Sequence, residues 1–158
     1  MNDIDTTRPT TPQGAVPTPG IATDHTGMRV LGLDECLRRL GESPVGRLAF
    51  ALDGEIAVLP VNHVLDGVDI CFLTSGGSKI QAAVDGDTVS FQVDDWDLTQ
   101  RSGWSVLVHG TAAIVTDDES ITRLAATARR PWVTVEKDSA RWVRVSNRQV
   151  TGRMILPD

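Results

Sequence analysis

The chain has 158 residues, 41% of them apolar, which is enough for one globular domain with a proper core. Its net charge of -6, with no basic run to offset the carboxylates, excludes a general nucleic-acid binder, and no apolar stretch approaches membrane-spanning length. Its two cysteines, Cys36 and Cys71, sit in apolar patterns outside any C-x-x-C or Cys/His cluster, so a reduced, cytoplasmic protein without structural zinc is expected.

Met1 to Gly27 holds four of the eight prolines among threonines and few large apolar residues. A disordered tail is expected there, with a single domain over residues 28–158. The tail lacks the basic start and apolar centre of a secretory signal. Leu33, Cys36, Leu37 and Leu40 follow helical spacing, with Asp34 placed to cap the start and Gly41 to end the helix. Cys36 on that apolar face reads as a small buried side chain rather than a redox thiol.

Beyond Pro44 the period changes to two. Leu48, Phe50 and Leu52 alternate up to a turn at Asp53-Gly54, a second strand runs from Ile56 to His63, and a third follows Asp66-Gly67 from Val68 to Thr74. Pro60 cannot donate to a ladder, so it implies an edge, a bulge or a close ligand approach. His63 could act as a base, but a lone histidine in an alternating strand more often packs; with His25 and His109 scattered elsewhere, no metal site is expected.

The third strand ends in Thr74-Ser75-Gly76-Gly77-Ser78-Lys79. Two glycines let consecutive N–H groups converge on one anion, the hydroxyls and Lys79 add donors and charge, and Ile80 to Ala83 reads as a short helix whose N-terminus would face the same point. The same residues also suit an ordinary strand-to-helix turn. The spacing is neither that of a Walker loop nor that of a dinucleotide fingerprint.

After Asp85-Gly86-Asp87 another strand carries Val89, Phe91 and Val93 on one face. Asp94, Asp95 and Asp97 around Trp96 read as a solvated turn, since they lack the pattern of a calcium loop. Ser102 to Val115 is the longest strand signal, with Gly110 permitting a bend. Asp117 to Ala128 reads as a helix with Ile121, Leu124, Ala125 and Ala128 on one face, and Arg141–Ser146 and Val150–Ile155 as two closing strands. The expected fold is mainly β: a six- to seven-stranded antiparallel split β-barrel with short peripheral helices.

The ordered motifs Pro44-Val45-Gly46-Arg47-Leu48-Ala49-Phe50, Pro60-Val61-Asn62-His63, Phe72 to Lys79, and Ser102-Gly103-Trp104-Ser105-Val106-Leu107-Val108-His109-Gly110 resemble the flavin-binding split barrels of the pyridoxamine 5'-phosphate oxidase-like family. The resemblance runs from about Leu31 to Ile155. It implies a homodimer with FMN in clefts at the subunit interface. Thr74, Ser75, Ser78 and Lys79 would hold the phosphate, while Pro60, Val61 and Asn62 would run beside the ring. Gly103 and Trp104 would close the site from the other subunit. Trp132 and Trp142 are further candidates for cleft walls, with core packing favoured for Trp142, and Arg144 and Arg153 either reach the site or form salt bridges.

The chemistry would be the flavin's own, so no catalytic residue is assigned. The absence of tyrosine and of a C-terminal Arg-x-His departs from true pyridoxamine phosphate oxidases and argues against vitamin B6 as substrate. An FMN-dependent oxidoreductase acting on a small molecule is expected. The alternatives are an F420-dependent reductase and a non-enzymatic flavin- or haem-binding module.

Overall fold

The computed structural model describes residues 22–75, 86–127 and 139–157. Seven strands form one antiparallel sheet: β2 (Val45–Leu52), β3 (Glu55–Asn62), β4 (Val64–Asp66), β5 (Asp69–Thr74), β6 (Thr88–Asp97), β7 (Ser102–Ile114) and β8 (Arg141–Ile155). Their order is β3-β2-β6-β7-β8-β5-β4, and the short β1 (Arg29–Val30) pairs with the end of β8. The sheet curls into a half-barrel, as the alternating pattern predicts.

Period-two alternation sends Leu48, Phe50, Val89, Phe91, Val93, Val106, Val108, Val143 and Val145 to the inside, where all are buried. Helix α1 (Leu33–Glu42) covers this core through Cys36 and Leu40. Gly32 rather than Asp34 is the N-cap; Asp34 and Glu35 lie in the first turn, where their charge favours the helix dipole. Gly41 is inside the helix, which ends at Ser43, whose N–H and hydroxyl both donate to the Arg39 carbonyl.

Two strand expectations change. β6 continues through Asp97, so the expected solvated turn is strand: Asp95 pairs with Trp104 and Trp96 with Gly103. β8 is one strand of 15 residues rather than two, because it keeps pairing with β7 across a register shift at His109/Gly110. Gly110 is the bend position expected of it, and a Cβ there would run into the Ser146 carbonyl.

Helix α2 (Asp118–Thr127) starts where the Asp117 carboxylate accepts from the Ser120 N–H at 2.8 Å, an N-cap bond. It packs on the outer side of β5 and β8, where Leu124 meets Cys71, Val115 and Trp142. Trp142 is therefore a core residue. Ala125, expected on the packed face, is exposed. No helix among the described residues is long and apolar enough to cross a membrane.

Both thiols are buried, and burial pushes each up, Cys71 to about 11. A thiol that stays protonated and enclosed is a poor nucleophile. Iodoacetamide at pH 8 is expected to leave the native chain unmodified and to label both cysteines in urea, as read by intact mass.

Candidate functional site

β3 is flanked by β2 on one side only, so Pro60, paired across from Arg47, stands on the sheet edge. The chain passes through His63 straight into β4, where Val64 faces Cys71 of β5. The β4–β5 ladder starts at Val64, while Asn62 and Val61 pair with Val45 and Gly46 of β2; β3 also approaches β5. Asn62 donates through its side-chain amide to the Pro44 carbonyl at 3.0 Å, which ties this corner to the start of β2. Thr74 is half-buried and Ser75 exposed. Gly76, Gly77, Ser78 and Lys79 lie outside the described residues, as does Trp132.

Gly103 and Trp104 are elsewhere. They pair with Ile155 and Met154 near the end of β8, whereas Thr74 pairs with Arg141 at its start. At strand rise the thirteen residue steps from Arg141 to Met154 span up to roughly 40 Å. Gly103 and Trp104 therefore pair near the opposite end of β8 from the residue that faces Thr74.

Trp104 has neighbours that sequence spacing did not disclose. The Arg39 guanidinium lies over its ring, 4.5 Å from the centroid, and pairs with Glu35 at 2.9 Å. Glu35 also holds Arg29 at 2.9 Å, and Arg29 reaches the Met154 sulfur at 3.8 Å. The Arg39 hydrogen bond holds the Glu35 carboxyl below its ordinary range. On the other side, Trp96 packs on Gly103, where any Cβ would overlap its ring, and its indole N–H donates to Asp94, itself paired with Arg47 at 2.8 Å. A groove of about 530 Å³ at this end of the sheet is lined by residues of β6, β7 and the end of β8, among them Trp96, Gly103, Trp104 and Ile155.

His63 is a packing residue. Its Nε2–H donates to the Leu40 carbonyl at 2.8 Å, its ring meets Phe91 edge-on at 4.7 Å, and its buried Nδ1 has no hydrogen-bond partner among the described residues. Burial lowers its pKa below 6.5. The unfolded chain therefore takes up a proton that the folded chain resists, and stability falls as pH drops through that value. Urea titrations from about pH 7.5 to about 5.5 are expected to show this fall, reduced in His63→Gln; an equal fall in both chains would assign it to another group.

Arg144 and Arg153 are structural ties. Arg144 pairs with Asp66 at 2.6 Å and Asp69 at 3.3 Å, and Arg153 with Asp24 at 2.8 Å. Hydrogen bonds from Arg123 and Arg144 bring the Asp66 carboxyl down to about 2.

Residues 33–154 match the family model described as pyridoxamine 5'-phosphate oxidase. An uncharacterized protein of Mycobacterium tuberculosis is 33% identical over 133 residues, covering 81% of this chain and 86% of that one. Among solved structures, an FAD-binding protein from Mycobacterium smegmatis superposes with a TM-score of 0.70 at 31% identity, covering 80% of this chain and 99% of that one. An FAD-binding protein from Mesorhizobium loti superposes with a TM-score of 0.68 at 26% identity, covering 82% and 99%. With the family model matched over most of its length and the solved relatives sharing its fold, the chain belongs to the pyridoxamine 5'-phosphate oxidase family.

Proposed function

We propose that this chain is a flavin-binding protein with FMN as its cofactor, and that it acts as an oxidoreductase on a small molecule. The observation that carries this reading is the match of residues 33–154 to the family model together with the flavin-binding solved relatives; the edge position of Pro60 on β3, which approaches β5, is consistent with it. The fit is chemical. An edge strand keeps backbone groups on its outer side for a ring's polar rim, and two hydroxyls at the mouth of a Gly-Gly-Ser-Lys segment suit a phosphate. A bound flavin supplies hydride or electron transfer at its own ring; the chain's part is to bind, orient and keep water out.

The cleft completes itself with a second copy. In this reading Gly103 and Trp104, which pair near the end of β8 far from the partner of Thr74, come to the flavin from a second subunit. The outer face of β3, where Ile56 is 74% and Val58 55% exposed, offers apolar surface for that contact. A homodimer with the flavin between subunits follows.

The two solved relatives named as FAD-binding favour FAD as a second reading. Loading the purified chain with FMN, FAD or F420, dialysing and recording the visible spectrum separates these. Retained FMN bands with quenched fluorescence are expected; retained FAD alone would select the second reading, and retention of neither would overturn both. Lys79→Ala is expected to weaken FMN by about 10- to 100-fold through one lost charge-assisted phosphate contact, with the circular-dichroism spectrum unchanged. Unchanged affinity by calorimetry would remove Lys79 from the site.

A further inference from the structure

The sheet has a second face over β3, β2, β6, β7 and β8, turned away from the core, and no described helix lies on it. Helix α1 packs on the inner side, and α2 against Cys71 and Trp142 on β5 and the start of β8. Residues paired across an antiparallel ladder share a face, so the register reads this surface as rungs. One rung runs Val58, Ala49, Ser90, His109 and Gln149; the next runs Pro60, Arg47, Gln92, Leu107 and Thr151. A sheet face that meets only water is polar along its strands. This one carries Ile56, Val58, Ala49, Ala51 and Leu107, while Arg47 and Arg153 are matched by Asp94 and Asp24. Apolar side chains and matched charges on one broad face suit contact with a second copy.

His109 stands inside this face, half-buried, with β6 on one side and β8 on the other. Ser90 Oγ and His109 Nδ1 share a hydrogen bond of 2.8 Å, and Nε2 has no partner among the described residues. Either neutral tautomer satisfies that pair. Histidine is the side chain that gains a charge between about pH 8 and 5. The groups facing it do not offset one: Thr88, Ser90 and Gln92 on β6, Leu107 and Thr111 on β7, and Gln149 and Thr151 on β8 are all neutral. The ionised neighbours, Arg47 on β2 and exposed Arg148 at the β8 register shift, are both cations. Asp94 is the nearest carboxylate on the face, two rungs away, and is held by Arg47 and the Trp96 indole.

A two-fold contact brings the same face from both copies, so both His109 rings are covered at once. Charging either ring there takes a cation out of water with no counter-charge beside it. The separated chain accepts the proton more readily than the dimer, so acid opposes the contact. We propose that His109 makes the subunit contact pH-sensitive, so that the dimer and the flavin between its subunits are held at about pH 7.5 and released near about pH 5.5. This regulation rests on the homodimer reading. Sedimentation velocity of the full chain over a dilution series at the two pH values reads the dimer dissociation constant, and FMN retained after dialysis is measured alongside. The wild-type constant is expected to rise about tenfold or more on acidification, with FMN retention falling in step.

His109→Gln keeps a polar group beside Ser90 but takes no charge, so its constant should change by less than about threefold between the two pH values. His109→Lys, charged at both, should dimerise weakly at both. Val58→Glu, on the same rung, should also dimerise weakly at both, because it sets a carboxylate in the contact. Circular dichroism of each chain at each pH separates loss of the dimer from loss of the fold, to which His63 contributes in acid. A wild-type dimer indifferent to pH, or an equal acid loss in His109→Gln, overturns the role of His109. A Val58→Glu chain as dimeric as the wild type overturns the choice of face. A wild-type chain that is monomeric at both pH values removes the homodimer reading itself and this inference with it.

Discussion

Phe91→Ala is expected to destabilise the chain by about 3–5 kcal/mol, most of the margin of a domain of this size. Phe91 is fully buried on β6, between Leu48 of β2 and Val108 of β7 in the ladder. Its ring fills the space that the missing side chain of Gly46 leaves, and a Cβ at Gly46 would overlap it. The same ring supports the His63 edge that pins the end of α1. Removing it opens a cavity where sheet and helix meet, with rigid strands on both sides that collapse poorly. Urea denaturation checks this: the midpoint should fall sharply with the slope unchanged. A loss under about 1 kcal/mol would show that the core repacks around the gap.

Two variants that each lose FMN should regain it when combined. Lys79→Ala damages the phosphate end of the proposed cleft, and Trp104→Ala the end that lies across β8. At an FMN concentration that saturates only the wild type, either variant alone should bind little. Mixed in equal amounts, unfolded together and refolded, random pairing puts half the chains' dimers in the mixed form. Each mixed dimer holds one intact cleft and one doubly damaged, so FMN binding should return to about a quarter of the wild-type level. No recovery would place both residues in the same subunit's cleft or in none.

Much of the architecture was legible because its determinants are local. A period of two needs only neighbouring residues, and Leu48-Phe50, Val89-Phe91-Val93 and Val106-Val108 all face the core as alternation requires. Asp53-Gly54 marks its hairpin because both residues adopt positive φ, 52° and 83°, which suits a tight primed turn. Pro60 announced an edge through the hydrogen bond it cannot make. The errors were also local in origin. Asp94 to Asp97 look like a turn by composition, but pairing with Ser102–Ser105 keeps them in strand. The polar run Asn147-Arg148-Gln149 looks like a break, but β7 alongside carries β8 through it.

The sequence by itself determined the half-barrel and the two described helices, because alternation and helical spacing are set by neighbouring residues. Only the tertiary structure decided that Gly103 and Trp104 stand at the other end of β8, and that Trp104 is backed by Arg39 from a helix 65 positions away. The cause is the long-range pairing of β7 with β8 and the packing of α1 across them. Both depend on the whole sheet having closed, and no spacing within one stretch encodes them.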